Sequence, residues 1–226
     1  MAIQIQGNGG VVAEVDGTTF RALRVTNRPI NYGTLGYYRV GALSGTMAAA
    51  LAANSEVFQW RWPDATNLGL VYKVQISAGA NVAATAAAIT GFRMTAARSW
   101  TVAGSGGTRL TMTGNNAKLR TSMGTTLVND IGISSTGALT AGTKTLDATD
   151  LGAVSIGILT GAITVQVSGN ILSAGDGILF DASEEGFHPL VCAQNEGFVI
   201  RSGVIFPTGM TWQLGVHCVW AEAAAF

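Results

Sequence analysis

The stretch TWQLGVHCVW, residues 211–220, decides the fold of this chain. Large apolar side chains occupy every second position of it: Trp212, Leu214, Val216, Cys218 and Trp220. Successive side chains of a β-strand point to opposite faces, so this alternation predicts a core strand. The intervening His217 then points away from that core, which favours a surface or interface imidazole over a catalytic base.

The same period of two recurs along the chain. It predicts further strands through Phe58, Trp60 and Trp62, through Tyr72, Val74 and Ile76, through Phe92, Met94 and Ala96, and through Ile163, Val165 and Val167. Residues 190–206 are predicted to form one long strand or a strand pair, interrupted around residues 195–197, where Gly197 allows a bulge or bend. Helical periodicity is missing, and the Ala-rich stretches Met47–Ala53 and Val82–Ala88 fit either a short helical turn or a small-residue loop.

Many strands separated by glycine-rich turns indicate an all-β fold, and we predict an antiparallel β-sandwich of jelly-roll type over residues 31–226. Residues 1–30 differ, because short β-prone pieces are split there by Gly7–Gly10 and Asp16–Gly17. Such pieces bury little against one another. We therefore predict an extended N-terminal arm that lies on the sandwich or on a neighbouring subunit.

Charged residues are scarce in this chain. They make up 12% of the 226 residues, about half the usual share for a soluble domain, and 13 basic residues balance 13 acidic ones. Charge repulsion would do little to keep copies apart, so assembly with other proteins is the leading expectation. A neutral charge balance also argues against broad nucleic-acid binding, which needs a basic face.

No stretch of the sequence predicts a segment that enters or crosses a membrane. The longest apolar stretch, Met47–Ala53, is far shorter than the roughly 20 residues of a spanning helix. The sequence MAIQIQ at the N-terminus has no basic segment followed by an apolar one, so we expect no secretory signal. Synthesis and folding in a cytoplasm are the expectation.

Catalytic and metal-binding patterns are weak. Cys192 and Cys218 fall on the apolar phase of predicted strands, so buried free thiols are favoured over a disulfide. A metal site from Glu184, Glu185 and His188 is conceivable but disfavoured, because adjacent loop carboxylates are usually solvated and no second histidine is near. The motifs G-x-S-x-G, C-x-x-C and H-E-x-x-H do not occur, and no glycine loop is followed by the P-loop lysine. We expect no enzyme activity, no cofactor and no metal; a sandwich-fold hydrolase is the weakest alternative.

Aromatic residues divide into core and contact candidates. Strand phase assigns Trp60, Trp62, Trp212 and Trp220 to the core in preference to a sugar-binding platform. Trp100 and the pair Tyr37–Tyr38 suit subunit interfaces instead. The predicted contact residues for a neighbouring subunit are Ile3, Ile5, Val11, Val12, Phe20, Leu23, Val25, Tyr37 and Tyr38.

Four stretches give the chain a family resemblance: Arg21–Thr26 followed by Arg28–Pro29, Lys118–Gly124, His188–Leu190 with Ala193–Phe198, and Trp220–Glu222. In them the chain resembles virion structural proteins of tailed double-stranded DNA bacteriophages. The resemblance implies a capsid decoration or cement protein, commonly a homotrimeric jelly roll, that binds across neighbouring major capsid subunits in the virion. The alternative that it leaves open is a tail- or fibre-associated protein that recognises a host-surface glycan or protein.

Overall fold

The computed structural model describes residues 35–158, 177–183, 186 and 188–224, together with the backbone of residues 15–16 and 22–23. The chain divides into two compact units, residues 1–31 and 32–226. In the first unit, β1 (Val15–Asp16) pairs with β2 (Ala22–Leu23) in an antiparallel ribbon. The rest of the predicted arm and the predicted strand through Ile163 lie outside the described residues.

Twelve further strands build the second unit. In chain order they are β3 (Gly36–Leu43), β4 (Glu56–Trp62), β5 (Leu68–Val82), β6 (Ala88–Val102), β7 (Gly107–Arg109), β8 (Asp130–Ser134), β9 (Thr143–Leu146), β10 (Gly152–Ile158), β11 (Ile178–Asp181), β12 (Leu190–Cys192), β13 (Glu196–Ser202) and β14 (Thr211–Ala223). The described residues contain no helix, so none of them forms a helix able to cross a bilayer.

Two antiparallel sheets pack face to face. The five-stranded sheet has the order β11-β5-β14-β3, with β12 next to β11 on the same edge of β5. The seven-stranded sheet has the order β10-β6-β13-β4-β8-β7, with β9 next to β10 along β6. The predicted all-β antiparallel sandwich is therefore confirmed.

Strands β3 to β6 alternate between the sheets, whereas β6 to β10 all belong to the seven-stranded sheet and β11 and β12 both belong to the five-stranded one. Strands β3 and β5 belong to the five-stranded sheet, whereas β4 and β6 belong to the seven-stranded one. The described connections β3–β4, β5–β6 and β13–β14 consequently lie at one end of the sandwich, and β4–β5 and β12–β13 lie at the other.

The core between the sheets contains the aromatic residues that the alternation predicts. Trp60, Trp62, Trp212 and Trp220 are all fully buried, which confirms their core assignment. Trp212 stacks on Phe206 with ring centroids 4.2 Å apart. Burial of one such side chain contributes about 1.5–3 kcal/mol to folding. Cys192 and Cys218 are buried free thiols, as predicted.

The structure differs from the prediction that Trp100 lies at a subunit interface, because its side chain is completely buried. The preceding Ser99 has a φ of +49°, which bends the end of β6. The indole then packs on Ala97 and Val199, two residues on the outer face of the seven-stranded sheet. A left-handed serine is uncommon, and nothing in the sequence pattern announces it.

A second departure concerns Tyr72, which was predicted to share a face with Val74. The register of β5 against β14 shifts at this point, because Trp220 pairs with Val71 whereas Val219 pairs with Lys73. The extra residue forms a bulge and reverses the phase of the strand. Tyr72 therefore faces outward, where its ring meets that of Tyr37 at 5.9 Å.

Residues 190–206 form a strand pair, one of the two predicted alternatives. The strands belong to different sheets, with β12 in the five-stranded and β13 in the seven-stranded sheet. The turn between them uses Asn195, whose φ is +62°, and not Gly197 as predicted. Gly197 lies within β13, where a Cβ atom would stand 2.1 Å from the Trp60 carbonyl oxygen. The Ala-rich stretches are non-helical loops that run into strands.

Candidate assembly surface

Charged side chains concentrate on the outer face of the seven-stranded sheet and the adjoining loops, where they pair with one another. We call this group the charge-paired face; it comprises Glu56, Arg61, Arg93, Arg98, Arg109, Asp130, Lys144, Asp147, Asp150, Glu196 and Arg201. Every one of these side chains has an oppositely charged partner within 3.4 Å. The charges of this face are thus satisfied within one molecule.

The most buried pair of the charge-paired face is Lys144–Glu56. The Lys144 Nζ lies 2.8 Å from the Glu56 Oε2, and the two side chains are only 2% and 7% exposed. The same Nζ lies 4.4 Å from the centroid of the Trp100 ring. Gln59 also donates to Glu56 through its Nε2 at 2.6 Å. Burial lowers the pKa of Lys144, while the Glu56 carboxylate opposes that change.

Arginine side chains fasten the bent end of β6 to the same face. Arg61 donates through Nε to the Trp100 carbonyl oxygen at 2.7 Å, and its Nη1 lies 3.1 Å from the Asp130 carboxylate.

Further along the face, the carboxylate of Asp150 accepts a hydrogen bond from Arg201 at 3.1 Å. Burial of the Asp150 carboxyl opposes ionisation, but the hydrogen bonds from Thr95 and Arg201 hold its pKa below the usual value. These contacts stabilise the fold.

Another buried carboxylate holds the loop before β8 against the end of β14. The Oε1 of Glu222 accepts from the Leu127 amide at 3.0 Å, from Trp220 Nε1 at 3.3 Å and from the hydroxyl of Thr126. The whole side chain is buried. Burial therefore raises the pKa of Glu222, although these hydrogen bonds favour the ionised form.

At the end of the sandwich where the described connections β3–β4, β5–β6 and β13–β14 lie, those three connections contain no charged residue. We call this surface the charge-free end and define it as residues 43–55, 82–89, 135–138 and 203–210, in which Asp, Glu, Lys, Arg and His do not occur. Hydrogen bonds from the Gly45 amide to the Ser134 carbonyl and from the Ala48 amide to the Thr136 carbonyl join the β8–β9 connection to it.

Apolar side chains are exposed at this end. Nine large hydrophobic residues are exposed in the described part of the chain, and five belong to the charge-free end: Leu43, Val82, Ile89, Val204 and Ile205. Ile89 and Val204 line one groove of about 330 Å³ together with Val154 and, at the border with the charge-paired face, Arg93. Exposed apolar side chains of this kind are candidates for contact with other molecules.

The loops that display these side chains are held in place. Met47 pairs with Trp212 through its backbone, and the Phe206 amide donates to the Leu51 carbonyl oxygen at 2.9 Å. Beneath them, Met47, Phe206 and Met210 are buried against Trp212. At the border, the Nη2 of Arg93 donates to Asn54 Oδ1 at 2.8 Å and to the Gly203 carbonyl at 2.9 Å. A surface fixed in this way loses little conformational freedom when a partner binds.

None of the predicted contact residues belongs to the residue ranges that define the charge-free end. Six of them fall outside the described residues: Ile3, Ile5, Val11, Val12, Phe20 and Val25. Leu23 pairs through its backbone with Val15. Tyr37 is half-buried on the outer face of the five-stranded sheet, beside Leu70.

The structure differs from the prediction that Tyr38 is a contact residue, because its side chain is only 1% exposed and offers no surface to a partner. The ring stacks on Trp220 at 5.8 Å, and the hydroxyl donates to the Gly124 carbonyl at 3.1 Å. Burial, followed by the charge of Glu222, raises the pKa of Tyr38 to about 12. The residue alternation of β3 places Tyr38 on the inner face and Tyr37 on the outer one.

The two histidines occupy unrelated places. His217 faces outward from β14 and is half-buried; burial and the nearby cations Arg39 and Lys73 lower its pKa. The exposed His188 has its Nδ1 2.8 Å from the carbonyl oxygen of Pro189. Glu184 and Glu185, considered with His188 for a metal, lie outside the described residues, and those described contain no group of three suitable ligands.

A signal for the charge-free end is present in the sequence. The four longest runs without Asp, Glu, Lys or Arg are residues 40–55, 74–92, 151–175 and 202–221. Three of them contain the connections β3–β4, β5–β6 and β13–β14, which all lie at this end. The runs are visible in the sequence, but only the strand order shows that these three connections share one end of the sandwich.

No protein-family model, no curated protein and no solved structure matches the chain.

Proposed function

We propose that this chain is a non-enzymatic structural subunit of a tailed bacteriophage virion, a capsid decoration or cement protein that binds across neighbouring major capsid subunits. The observation that supports an assembly role is the partition of charge, with ionised groups paired on one face and none in the connections at one end. The phage setting rests on the sequence resemblance alone.

Physical chemistry favours such an end as a contact surface. A charged group that enters an interface must lose its hydration, and this costs free energy unless a matched partner replaces the water. The exposed side chains of the charge-free end carry no such cost, and burial of Ile89, Val204 and Ile205 removes apolar surface from water. Contact across several protomers would then add through multivalency.

We also propose that the sandwich is of jelly-roll type. Strands that come early in the second unit pair with strands that come late in it, in nested order. β3 pairs with β14, β4 with β13, β5 with β11, and β6 with β10. A long antiparallel ribbon that is rolled into two sheets produces this nesting of pairs. Jelly rolls are common in viral capsid proteins.

A tail or fibre role in host-surface binding remains the second proposal, but it has less support. Such a role would use exposed aromatic residues beside the glycine-rich loops, whereas all five tryptophans are buried. The N-terminal arm, a homotrimeric state and the absence of nucleic-acid and cofactor binding remain parts of the first proposal.

The position of the chain in an intact particle tests the proposal. Cryo-electron microscopy of the virion is expected to show density for the sandwich on the head, at junctions between major capsid subunits. Purified protein is expected to cosediment with heads that lack it and to raise the temperature at which they release DNA. Density on the tail alone, with binding to host cells, would support the second proposal instead.

A further inference from the structure

We infer that Lys144 and Gln59 become joined by an amide bond within one molecule, formed by attack of the lysine amine on the glutamine side-chain amide with release of ammonia. The two side chains meet at Glu56, on the charge-paired face. The inference goes beyond the proposed function and does not depend on it, because a covalent tie between two strands is a property of the single chain.

A nucleophile, a carboxylate and an electrophile stand next to one another at this point. The Glu56 Oε2 lies 2.8 Å from the Lys144 Nζ and accepts a hydrogen bond from the Gln59 Nε2 at 2.6 Å. One carboxylate oxygen therefore contacts both the attacking nitrogen and the nitrogen that leaves. A carboxylate placed in this way can accept a proton from the first nitrogen and deliver it to the second.

The orientation of the Gln59 amide directs its carbonyl oxygen toward a positive charge. Its Nε2 donates to Glu56 and, at 2.8 Å, to the Thr140 carbonyl oxygen, and both of these acceptors require a donor. Its Oε1 accepts from the Arg109 Nη2 at 3.3 Å, and Asp130 contacts the same guanidinium at 2.9 Å. Arg109 therefore stabilises the negative charge that develops on Oε1 when Cδ is attacked.

Burial favours the reactive form of Lys144 and keeps water away from it. The Lys144 and Glu56 side chains are 2% and 7% exposed, and Gln59 is completely buried. Burial lowers the pKa of Lys144, while the Glu56 carboxylate opposes that change. The cations Arg109 and Arg201 add to the lowering. The amine therefore loses its proton more readily than an exposed lysine does. Groups held at neighbouring positions also react far faster than the same groups free in solution.

The atoms and charges of the reaction balance without an oxidant or a reductant. The Lys144–Glu56 ion pair is the state that precedes the bond. The ammonium gives a proton to the Glu56 carboxylate, and the free amine forms a bond with the Gln59 Cδ. The Cδ–Nε2 bond then breaks, and the leaving nitrogen receives through Glu56 the two protons that Nζ has lost. The products are one amide bond, one ammonium ion and an ionised Glu56.

The bond ties an edge of the seven-stranded sheet to its middle. Lys144 lies in β9, which pairs with β6, and Gln59 lies in β4, with β13 between β6 and β4. Three residue pairs join β9 to β6, and their register is interrupted between Arg98 and Val102. The amide bond therefore holds β9 in place where the pairing of the strands is short.

Mass spectrometry of the intact full chain in denaturant tests the inference. We expect the wild-type protein, after incubation in the folded state, to be lighter than its sequence by one molecule of ammonia. Trypsin is then expected to release residues 40–61 joined to residues 121–201, because an acylated Lys144 is no longer a cleavage site.

Variants assign the roles of the three side chains. Glu56→Gln and Lys144→Arg are each expected to keep the full sequence mass. The first removes the proton carrier, whereas the second removes the amine but keeps a cation opposite Glu56. The matched control is Lys73→Arg, since Lys73 forms an ion pair with Asp181 at 3.1 Å on the other sheet. This control is expected to lose ammonia as the wild type does.

A wild-type chain that keeps its full mass after prolonged incubation in the folded state overturns the inference. So does loss of water with a link between Lys144 and Glu56, or loss of ammonia that maps to an asparagine. These outcomes are read from the wild-type protein, so a variant that fails to fold does not alter the conclusion. The virion role is decided separately by the position of the chain in the particle, whichever mass is found.

Discussion

The charge-paired face and the charge-free end use the same sandwich in opposite ways. On the face, Lys144 and Glu56 form a buried ion pair, and the ammonium lies 4.4 Å from the centroid of the Trp100 ring. At the end, the described connections contain no ion and expose Ile89, Val204 and Ile205. The first region therefore holds the monomer together, whereas the second is available for contact between molecules.

This contrast explains how a chain with few charges can fold and also assemble. In many soluble proteins charged residues are spread over the surface and keep copies apart, but this chain has only thirteen acidic and thirteen basic residues and no net charge. Many of them instead stabilise one face, where each is paired. The described connections at the other end contain small or apolar residues instead. The scarcity of charge is therefore concentrated in one part of the fold.

The largest expected effect breaks the charge-paired face. Glu56→Ala leaves the Lys144 ammonium buried without its partner, so we expect the free energy of unfolding to fall by about 3–5 kcal/mol in denaturant titrations at neutral pH. The double variant Glu56→Leu with Lys144→Met removes both charges and is expected to recover most of that loss. A loss below about 1 kcal/mol in the single variant would show that the pair contributes little.

A smaller effect is expected where the two regions meet. Arg93→Ala removes the hydrogen bonds to Asn54 and Gly203, so we expect a loss of about 1–2 kcal/mol. Hydrogen exchange should accelerate at residues 203–210, which that side chain fastens. Arg120→Ala, an exposed arginine elsewhere, serves as the control and is expected to change stability by about 0.5 kcal/mol or less.

Glu222 gives a prediction about pH. Its pKa is raised in the folded protein, so folding favours the protonated carboxyl, and that contribution is lost as pH rises through the folded pKa. Glu222→Gln cannot titrate. Denaturation curves from acidic to neutral pH should therefore show the stability of the wild type falling relative to that of Glu222→Gln. A wild type that instead gains relative stability over this range would contradict the raised pKa.

The smallest effect on monomer stability is expected at the charge-free end. Ile205→Ser changes an exposed side chain, so the free energy of unfolding should stay within about 0.5 kcal/mol of the wild-type value. The adjacent Phe206→Ala removes a buried ring stacked on Trp212 and should cost about 3–5 kcal/mol. Measured at concentrations where the protein is monomeric, equal losses in both variants would show that Ile205 belongs to the core.

The sequence predicted most of the sandwich because alternation reports burial directly. Residues 211–220 lie within β14, and the phases of Trp60 and Phe92 are as expected. Two errors have local backbone causes, the left-handed Ser99 and the bulge at Tyr72, and neither leaves a mark in a hydropathy pattern.

The candidate surface was missed for a different reason. The predicted contact residues are aromatic and aliphatic, and one of them, Tyr38, is buried. The charge-free runs at residues 40–55, 74–92 and 202–221 were visible, but their meaning depends on which connections share an end. That information comes from the strand order, which local pattern does not contain.

The buried state of Cys192 and Cys218 has a practical consequence. Both thiols are shielded, and burial raises the pKa of each well above its ordinary value, so reactive thiolate is scarce. We expect maleimide dyes and thiol-reactive spin labels not to react with the native protein. A single cysteine introduced at position 205 or 119 would then be the only site that is labelled. The native protein is therefore suited to distance and proximity measurements with site-specific probes.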